Sequence, residues 1–369
     1  MVLARGLSTL PHSLNPFRST GTSLPGNLLL MAKLMVGCLL VMRYVQKIPE
    51  PFLPLLPLFE SFPWPRVFQR TLQIAFCLAA LGIFFNRSVR VSCLVAGLVF
   101  LIGPLSARAT YTNGKFFCAC MLILIGLYHA RHSVWLLRAQ FVVMYFGSGL
   151  NKLLIADWRS GQFMDHWLGN VWKSDVYLTA APWFPPLMLG ALLGWGTILT
   201  ELGLVAGLSF PRLYRGAIWT AVFLHASSVL LSGYDFGIFY SALLASLLVF
   251  VDWPAPASVT VHYSPSRRLH AFWKRASDRI HFDGLFTWQP DSPAAARLEL
   301  QGKTYVGLGA LNVWLLLNPA FHATVALLLV LPGQEHRWIR EWTSALAIVL
   351  FFPLTSWAWQ KVRGRLSGS

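Results

Sequence analysis

Charged residues are scarce in this sequence, and acidic residues are the scarcest of them. Only 12% of the 369 residues are charged, and 14 Asp and Glu stand against 30 Lys and Arg. Soluble domains carry roughly 25% charged residues, whereas 56% of this chain is hydrophobic. The shortage of charge excludes an ordinary soluble domain, and the length favours an integral membrane protein built as a bundle of helices.

The formal net charge of +16 would suggest a nucleic-acid partner in a soluble protein. Here the basic residues lie in short loops between apolar runs, where they act as topology signals and contact anionic lipid headgroups. They form no basic face or base-reading motif, so we expect membrane lipid and no nucleic acid as a partner. Their distribution predicts a cytoplasmic N-terminus.

Cysteine is also rare, and its five positions argue against a disulfide framework because their number is odd. They are Cys38, Cys77, Cys93, Cys118 and Cys120, all within apolar runs of the first third of the chain. The spacing of Cys118 and Cys120 is too weak a pattern for a metal or redox pair, and free cysteines often pack as small apolar side chains. The sequence therefore predicts no metal site.

Eight apolar runs are long enough to span a bilayer. They predict an all-α polytopic membrane protein of about eight transmembrane helices, to which a small α/β cytoplasmic segment is added. The runs are 27–45, 67–85, 88–105, 115–130, 135–155, 184–209, 213–232 and 234–252. Between the first two, six prolines in residues 49–65 forbid a regular helix. That stretch is expected to lie at the interface or to re-enter the bundle.

Composition divides the chain into a polar tail (1–26), the bundle (27–253), a cytoplasmic segment (254–335) and an apolar helix with a basic tail (336–369). In the cytoplasmic segment, SVTVHY alternates like a strand and RRLHAFWKRASDRI has helical spacing. Two later apolar runs, 305–332 and 343–360, must both span the membrane or both stay out. Pro319 and His322 interrupt the first of them and favour the second option.

A lysine in the apolar stretch YFGSGLNKLLIADW is the most informative residue. Tyr145, Gly149 and Lys152 share one helical face, and Gln140 and Asn151 add polarity. A lysine inside hydrocarbon tends to face a cavity or a partner, and a buried lysine can become a base near neutral pH. The alternative is a lysine near the helix end that snorkels to water.

Two further ionisable residues lie deep in predicted spans, Glu201 in GWGTILTELGLVAG and His225 in IWTAVFLHASSVLL. Neither has a charged residue within a helical turn, so each needs a partner on another helix or must be neutral. Together with Lys152 they form a polar set that predicts a functional site. The alternative is an interhelical hydrogen bond that fixes packing.

The block 138–168 resembles the signature of the HTTM family, the transmembrane domain of vitamin K-dependent gamma-carboxylases and many bacterial relatives. The matching residues are Gln140, Tyr145-Phe146, Ser148-Gly149, Lys152, Trp158 and Gly161. The resemblance implies that Lys152 is a catalytic base acting on a quinone-type cofactor, with Glu201 and His225 at the family's later polar positions. It also implies the cytoplasmic (inner) membrane of a bacterium as the location.

The chain departs from the carboxylases at an earlier position. Their Asn-Asn-His motif is matched by Asn113 without a histidine, and we find no counterpart of the large lumenal domain that binds the propeptide. Gamma-carboxylation of a protein is therefore not expected. The predicted ligand-binding residues are Tyr145, Gln140, Asn113 and Trp158, beside Lys152, His225 and Glu201 as the catalytic set.

The segment VTVHYSPSRRLHAFWKR, with GKTYVGLGALNVWLLLNPAF downstream, resembles DCC domains, which are thioredoxin-like and often accompany HTTM domains. Ser264 and Pro265 replace the family's Asp-Gly, and Arg267 and His270 replace its two cysteines. Because thiol–disulfide exchange needs a thiolate, the resemblance implies a degenerate, redox-inactive segment. The alternative is an ordinary basic cytoplasmic segment.

These observations lead to three functional hypotheses, which leave open whether the protein is an enzyme. The first is an HTTM-type membrane protein with an intramembrane polar pocket that binds a quinone or a lipid, with Lys152 as base or anchor. The second is a non-catalytic scaffold whose cytoplasmic segment docks a protein partner. A transporter ranks last, because no internal repeat or paired broken helices are evident.

Overall fold

The computed structural model describes residues 22–60, 62–129, 134–232, 238–251, 253–254, 258–280, 285–291 and 296–318. The chain divides into two compact units: the first unit comprises 1–134 and 241–327, and the second unit comprises 135–240 and 328–369. The bundle predicted as one domain, 27–253, is thus shared between the two units, and the predicted cytoplasmic segment falls mostly in the first. Most of the N-terminal tail and the run 343–360 lie outside the described residues.

Four α-helices begin the described part of the first unit, and two of the connections between them contain 3₁₀ turns. The helices are α1 (Gly26–Val41), α2 (Pro65–Phe84), α3 (Val89–Ser106) and α4 (Asn113–Leu127). The Asn27 side chain at the start of α1 donates to the carbonyl oxygens of Leu248 and Val251 at 3.1 and 3.2 Å. These bonds join the start of the unit's helical part to the point where the chain leaves it for the sheet.

The proline-rich stretch 49–65 carries a 3₁₀ turn at Pro57–Phe59 before α2 begins at Pro65. It lies along the end of α3, because the amides of Phe52 and Leu55 donate to the carbonyls of Ser106 and Leu105 at 3.0 and 2.9 Å. A proline has no amide donor, so a run of prolines leaves few donors unsatisfied outside a helix. The stretch exposes several large apolar side chains.

The second unit contains the longer helices that position the candidate site. They are α5 (Trp135–Leu154), α6 (Ala156–Ser160), α7 (Gln162–Asp165), a π-helical turn (His166–Val171), α8 (Asp175–Ala180), α9 (Met188–Ser209) and α10 (Tyr214–Ser232). Helix α9 packs against α5, α6, α7 and α10. It is therefore the central helix of this unit.

In the part of the chain that the structure describes, three helices are long and apolar enough to cross a membrane: α2, α3 and α9. The described helices that correspond to 27–45 and 115–130 are shorter, with 16 residues in α1 and 15 in α4. Helix α11 (Ile238–Ser246) covers nine residues of the run 234–252. The structure thus bears out membrane-length apolar helices, and the prediction of about eight spans is not confirmed.

A small mixed sheet follows the helices of the first unit. Its strands are β1 (Val259–Tyr263), β2 (Phe286–Pro290), β3 (Arg297–Leu300) and β4 (Lys303–Val306), in the order β2-β1-β3-β4. β1 runs parallel to β2, with helix α12 (Arg268–Ile280) between them in the chain, and β3 is antiparallel to β1 and β4. The predicted strand and helix of this segment are both confirmed.

One face of helix α12 forms the core of this segment. Its Trp273 ring meets Trp288 of β2 and Trp314 of α13 (Leu308–Leu316) edge to face, with centroids 6.1 and 5.4 Å apart. The Trp314 indole donates to the buried Ser277 hydroxyl at 3.5 Å. Aromatic pairs in this geometry stabilise a small core beyond the area they bury.

A buried histidine in the first turn of α12 closes the preceding chain turn, at a position where the DCC resemblance implies a cysteine. The Ser264 amide donates to His270 Nδ1 at 3.1 Å, and the hydroxyls of Ser264 and Ser266 are 2.8 Å apart. His270 is 7% exposed. The five cysteines all lie outside the segment, so this turn is held by hydrogen bonds and offers no thiolate.

The turn is predicted to loosen in acid, because burial, and then the charge of Arg267, lower the pKa of His270. The fold favours the neutral ring, so its stabilising effect is present above the ordinary histidine pKa of about 6.5 and is lost as pH falls through the lowered folded pKa. Amide exchange in β1, corrected for its intrinsic pH dependence, should therefore accelerate in acid. In His270→Asn, which does not titrate, that dependence should disappear; equal dependence in both proteins would contradict the prediction.

Candidate functional site

Helix α5 brings its polar side chains to α9 because a glycine lets the two backbones approach. A Cβ placed on Gly149 would lie 3.0 Å from Leu202 Cδ2 and 3.4 Å from Glu201 Cβ. Tyr145, Ser148 and Lys152 occupy the same face of α5, since residues three and four apart are neighbours on a helix. The small-residue sequence around Gly149 thus sets the position of the site.

Lys152 and Glu201, predicted separately from the sequence, form an ion pair. Lys152 Nζ lies 2.8 Å from Glu201 Oε2, and the two side chains are 16% and 10% exposed. Removing two such charges from water is costly unless they are paired and hydrogen-bonded. The pairing therefore explains how each of the two apolar helices carries a charged residue.

The ammonium uses all its donors on neighbouring acceptors. Lys152 Nζ lies 2.5 Å from Ser148 Oγ and 2.9 and 2.8 Å from the two carboxylate oxygens of Glu201. The Ser148 hydroxyl donates in turn to Glu201 Oε1 at 3.1 Å. In the sequence, Ser148 stands out only within the HTTM resemblance; its i, i+4 spacing to Lys152 is the signal that could have identified it as a partner.

An aromatic wall covers one side of the ammonium. Lys152 Nζ lies 5.1 Å from the centre of the Trp158 ring, a cation–π distance. Trp158 stacks on Phe163, with centroids 4.2 Å apart and planes inclined by 19°. The predicted wall residue Trp158 is thus brought to the ion pair.

Glycines hold the short helices that carry Trp158 close to α9. Gly161 has φ +87°, a conformation that glycine adopts readily. A Cβ on Gly190 would lie 2.5 Å from the Gly161 carbonyl oxygen, and one on Gly194 would collide with the Trp158 carbonyl oxygen. The predicted Trp-x-x-Gly motif therefore has a structural role, which is to let α6 lie directly on the backbone of α9.

A second polar contact joins α5 to α10. Tyr145 Oη lies 2.6 Å from His225 Nε2, and the rings are stacked with centroids 6.0 Å apart. Tyr145 and His225 are 1% and 4% exposed. The helix face of Tyr145 and Lys152 therefore contacts two different helices.

Within the second unit, the predicted ligand-binding residue Gln140 is not brought to the ion pair. Gln140 is half-buried in α5, and the twelve residues to Lys152 correspond to about 18 Å along a helix. Asn113 is the exposed first residue of α4 and belongs to the first unit. The site within the second unit thus consists of Tyr145, Ser148, Lys152, Glu201 and His225, together with Trp158.

Comparison with protein-family models, characterised proteins and solved structures finds no match. The HTTM and DCC resemblances therefore stay predictions that rest on the residues quoted for them. Within the described part of the chain, no group of three or more His, Cys, Asp and Glu is arranged to hold a metal ion. The side chains of the site are therefore the evidence for its chemistry.

Proposed function

We propose that this protein is an integral membrane protein of the HTTM type whose second unit binds the polar head of an apolar molecule, a quinone or a lipid. The observation that carries the proposal is the Lys152–Glu201 ion pair between α5 and α9. An ionisable pair inside apolar helices is costly and usually marks a binding or reaction site. The positive-inside distribution of Lys and Arg supports a cytoplasmic N-terminus, and the HTTM resemblance supports a bacterial inner membrane.

The side chains of the site suit an oxygen on a flat ring. The ammonium of Lys152 and the hydroxyls of Ser148 and Tyr145 can donate to a carbonyl or hydroxyl oxygen. Trp158 offers a flat apolar surface 5.1 Å from the ammonium. A quinone would supply redox chemistry when bound; the residues of this chain would orient its oxygen and hold the charge that develops there.

The geometry of the site favours Lys152 as an anchor for a polar head over Lys152 as a base. Its three donors are engaged by Ser148 and the Glu201 carboxylate, so the amine has no lone pair available in this arrangement. To abstract a proton, Lys152 would first have to transfer one, and the Glu201 carboxylate is the acceptor in contact with it. Catalysis therefore requires this proton transfer to neutralise the ion pair first, whereas anchoring a polar head requires only an exchange of hydrogen-bond partners.

The complete pairing of Lys152 also favours a second candidate function, a non-catalytic scaffold. In that case the pair, with its Ser148 bond, would only fix α5 against α9. The segment 258–306 would then act as the docking module, since its turn at Ser264–Arg268 holds no cysteine. The strand order β2-β1-β3-β4 with α12 between the parallel strands supports the thioredoxin-like assignment of this module.

The experiment is mass spectrometry of the small molecules that stay with the detergent-purified protein. The wild type should retain one quinone or lipid species in stoichiometric amount. Lys152→Met/Glu201→Met, which removes the pair without leaving a lone charge, should fold and lose that species. Arg159→Met, which removes an exposed charge in the same unit, should retain it. The same mixture of lipids in all three proteins would reject the ligand-binding proposal in favour of the scaffold.

A further inference from the structure

Helix α12 turns an apolar and basic face to solvent. Leu269 and Phe272 are 74% and 67% exposed, and their spacing of three places them side by side on the helix. Arg268 lies one turn before Phe272 and Arg275 follows it by three residues, and both are exposed. A large aromatic side chain thus stands in solvent between two guanidinium groups.

Packing inside the segment does not explain this face. The opposite side of α12, with His270, Trp273 and Ser277, already covers the sheet and α13 through the contacts described above. The Arg275 guanidinium donates to the carbonyl oxygen of Ala271 on its own helix at 3.2 Å, so it stays at the surface. Among the described residues of the segment, Leu269 and Phe272 therefore take no part in the core.

The charge of the helix restricts what can cover this face. Residues 268–280 contain Arg268, Lys274, Arg275 and Arg279 against one acid, Asp278. A helix with basic residues around exposed Leu and Phe side chains is typical of helices that lie in the interface of an anionic membrane. Each Lys or Arg near such a surface adds electrostatic attraction to the anionic lipids.

The attachment of the segment keeps α12 close to the membrane helices. Residues 252–258 alone connect Val251 to β1, and this connection spans at most about 28 Å when fully extended. Val251 is tied by Asn27 to the start of α1, in the unit that also contains the candidate spans α2 and α3. A short tether of this kind presents α12 to the nearby bilayer at high effective concentration.

We propose that the face formed by Arg268, Leu269, Phe272 and Arg275 docks on the anionic lipid surface of the membrane that holds the protein. Leu269 and Phe272 insert among the headgroups, and the guanidinium groups of Arg268 and Arg275 bind lipid phosphates. This contact is independent of the Lys152 site, which lies in the other unit. It gives the basic segment after residue 253 a lipid partner.

The test places a nitroxide label on this face in the full-length protein. Leu269→Cys is labelled in a chain in which the exposed Cys77 and the partly exposed Cys120 are replaced by Ser, and the protein is reconstituted in nanodiscs. The readout is the ratio of the label's collision rate with oxygen to its collision rate with a water-soluble nickel chelate. In bilayers with anionic phosphatidylglycerol, this ratio should be several-fold higher than in bilayers of phosphatidylcholine alone. In bilayers of phosphatidylcholine alone, the label should stay in water.

Matched variants separate lipid binding from other causes. Arg268→Gln/Arg275→Gln should return the label to water in anionic bilayers. Arg297→Gln/Lys303→Gln removes the same charge from exposed strand positions and should leave the immersed label unchanged. The proposal is overturned if the label stays in water in both lipids. It is also overturned if the label is immersed equally with and without Arg268→Gln/Arg275→Gln. Dipolar broadening between labels would show that a second copy covers the face, which also overturns it.

Discussion

Lys152→Met should be the most destabilising single substitution of a charged residue in the second unit. It leaves the Glu201 carboxylate, which is 10% exposed, without the ammonium that lies 2.8 Å away. Breaking a buried ion pair by removing one partner typically costs about 3–5 kcal/mol, because an uncompensated charge stays buried. SDS-induced unfolding of the detergent-solubilised protein measures this loss, and Glu201→Met should show a similar one.

The double variant gives the sharper form of this prediction. Lys152→Met/Glu201→Met replaces both charges by apolar side chains of similar length, and such replacements are often neutral or stabilising. Its stability should therefore lie near that of the wild type and well above that of either single variant. Arg159→Met, at an exposed position of the same unit, should change stability by about 0.5 kcal/mol or less. Additive losses in the double variant would show that the two charges do not depend on each other.

Gly194→Ala should also have a large effect, because it separates α6 from α9. The added Cβ would collide with the carbonyl oxygen of Trp158, and a backbone atom cannot rotate out of the way. Overpacking of this kind costs about 1–3 kcal/mol. The displacement should also draw the Trp158 ring away from Lys152 Nζ, which now lies 5.1 Å from its centre. Unfolding midpoints and the retained small molecule should both change.

The same helix supplies the control for this substitution. A Cβ on Gly196 would have nothing within 4 Å, so Gly196→Ala should be neutral or stabilise the helix by up to about 1 kcal/mol. A comparable loss of stability in both variants would mean that the glycines of α9 act through general flexibility. A loss confined to Gly194→Ala would establish the backbone contact with Trp158.

The sequence could identify the charged residues of the site but not how they combine. Lys152, Glu201 and His225 stand out because each interrupts an apolar run. Their pairing depends on which helices are neighbours, and hydrophobic runs of similar length carry no such information. The structure pairs Lys152 with Glu201 and Tyr145 with His225. Ser148 was missed because its hydroxyl gains importance only once the carboxylate is beside it.

The number of spans was harder to predict than the helical character of the chain. Counting apolar residues does not detect where a helix ends. The run 27–45 stops being α-helical at Val41, and Arg43 adopts a left-handed backbone conformation with φ 54°. In the same way the helix of 115–130 ends at Leu127. The strand of 258–263 was predictable because its alternation is regular, whereas β3 and β4 have only four residues each.

The most direct test of the proposed site is to exchange its two charges and measure the small molecule that the protein retains. Lys152→Glu/Glu201→Lys preserves an ion pair between α5 and α9 and should keep the stability of the wild type, but it moves the cation from α5 to α9 and away from the Trp158 ring, which now lies 5.1 Å from it. If Lys152 anchors a polar head, the exchanged protein should fold and lose the ligand that the wild type carries. Retention of the same species in the same amount would contradict this role and leave the pair as a packing device between two helices.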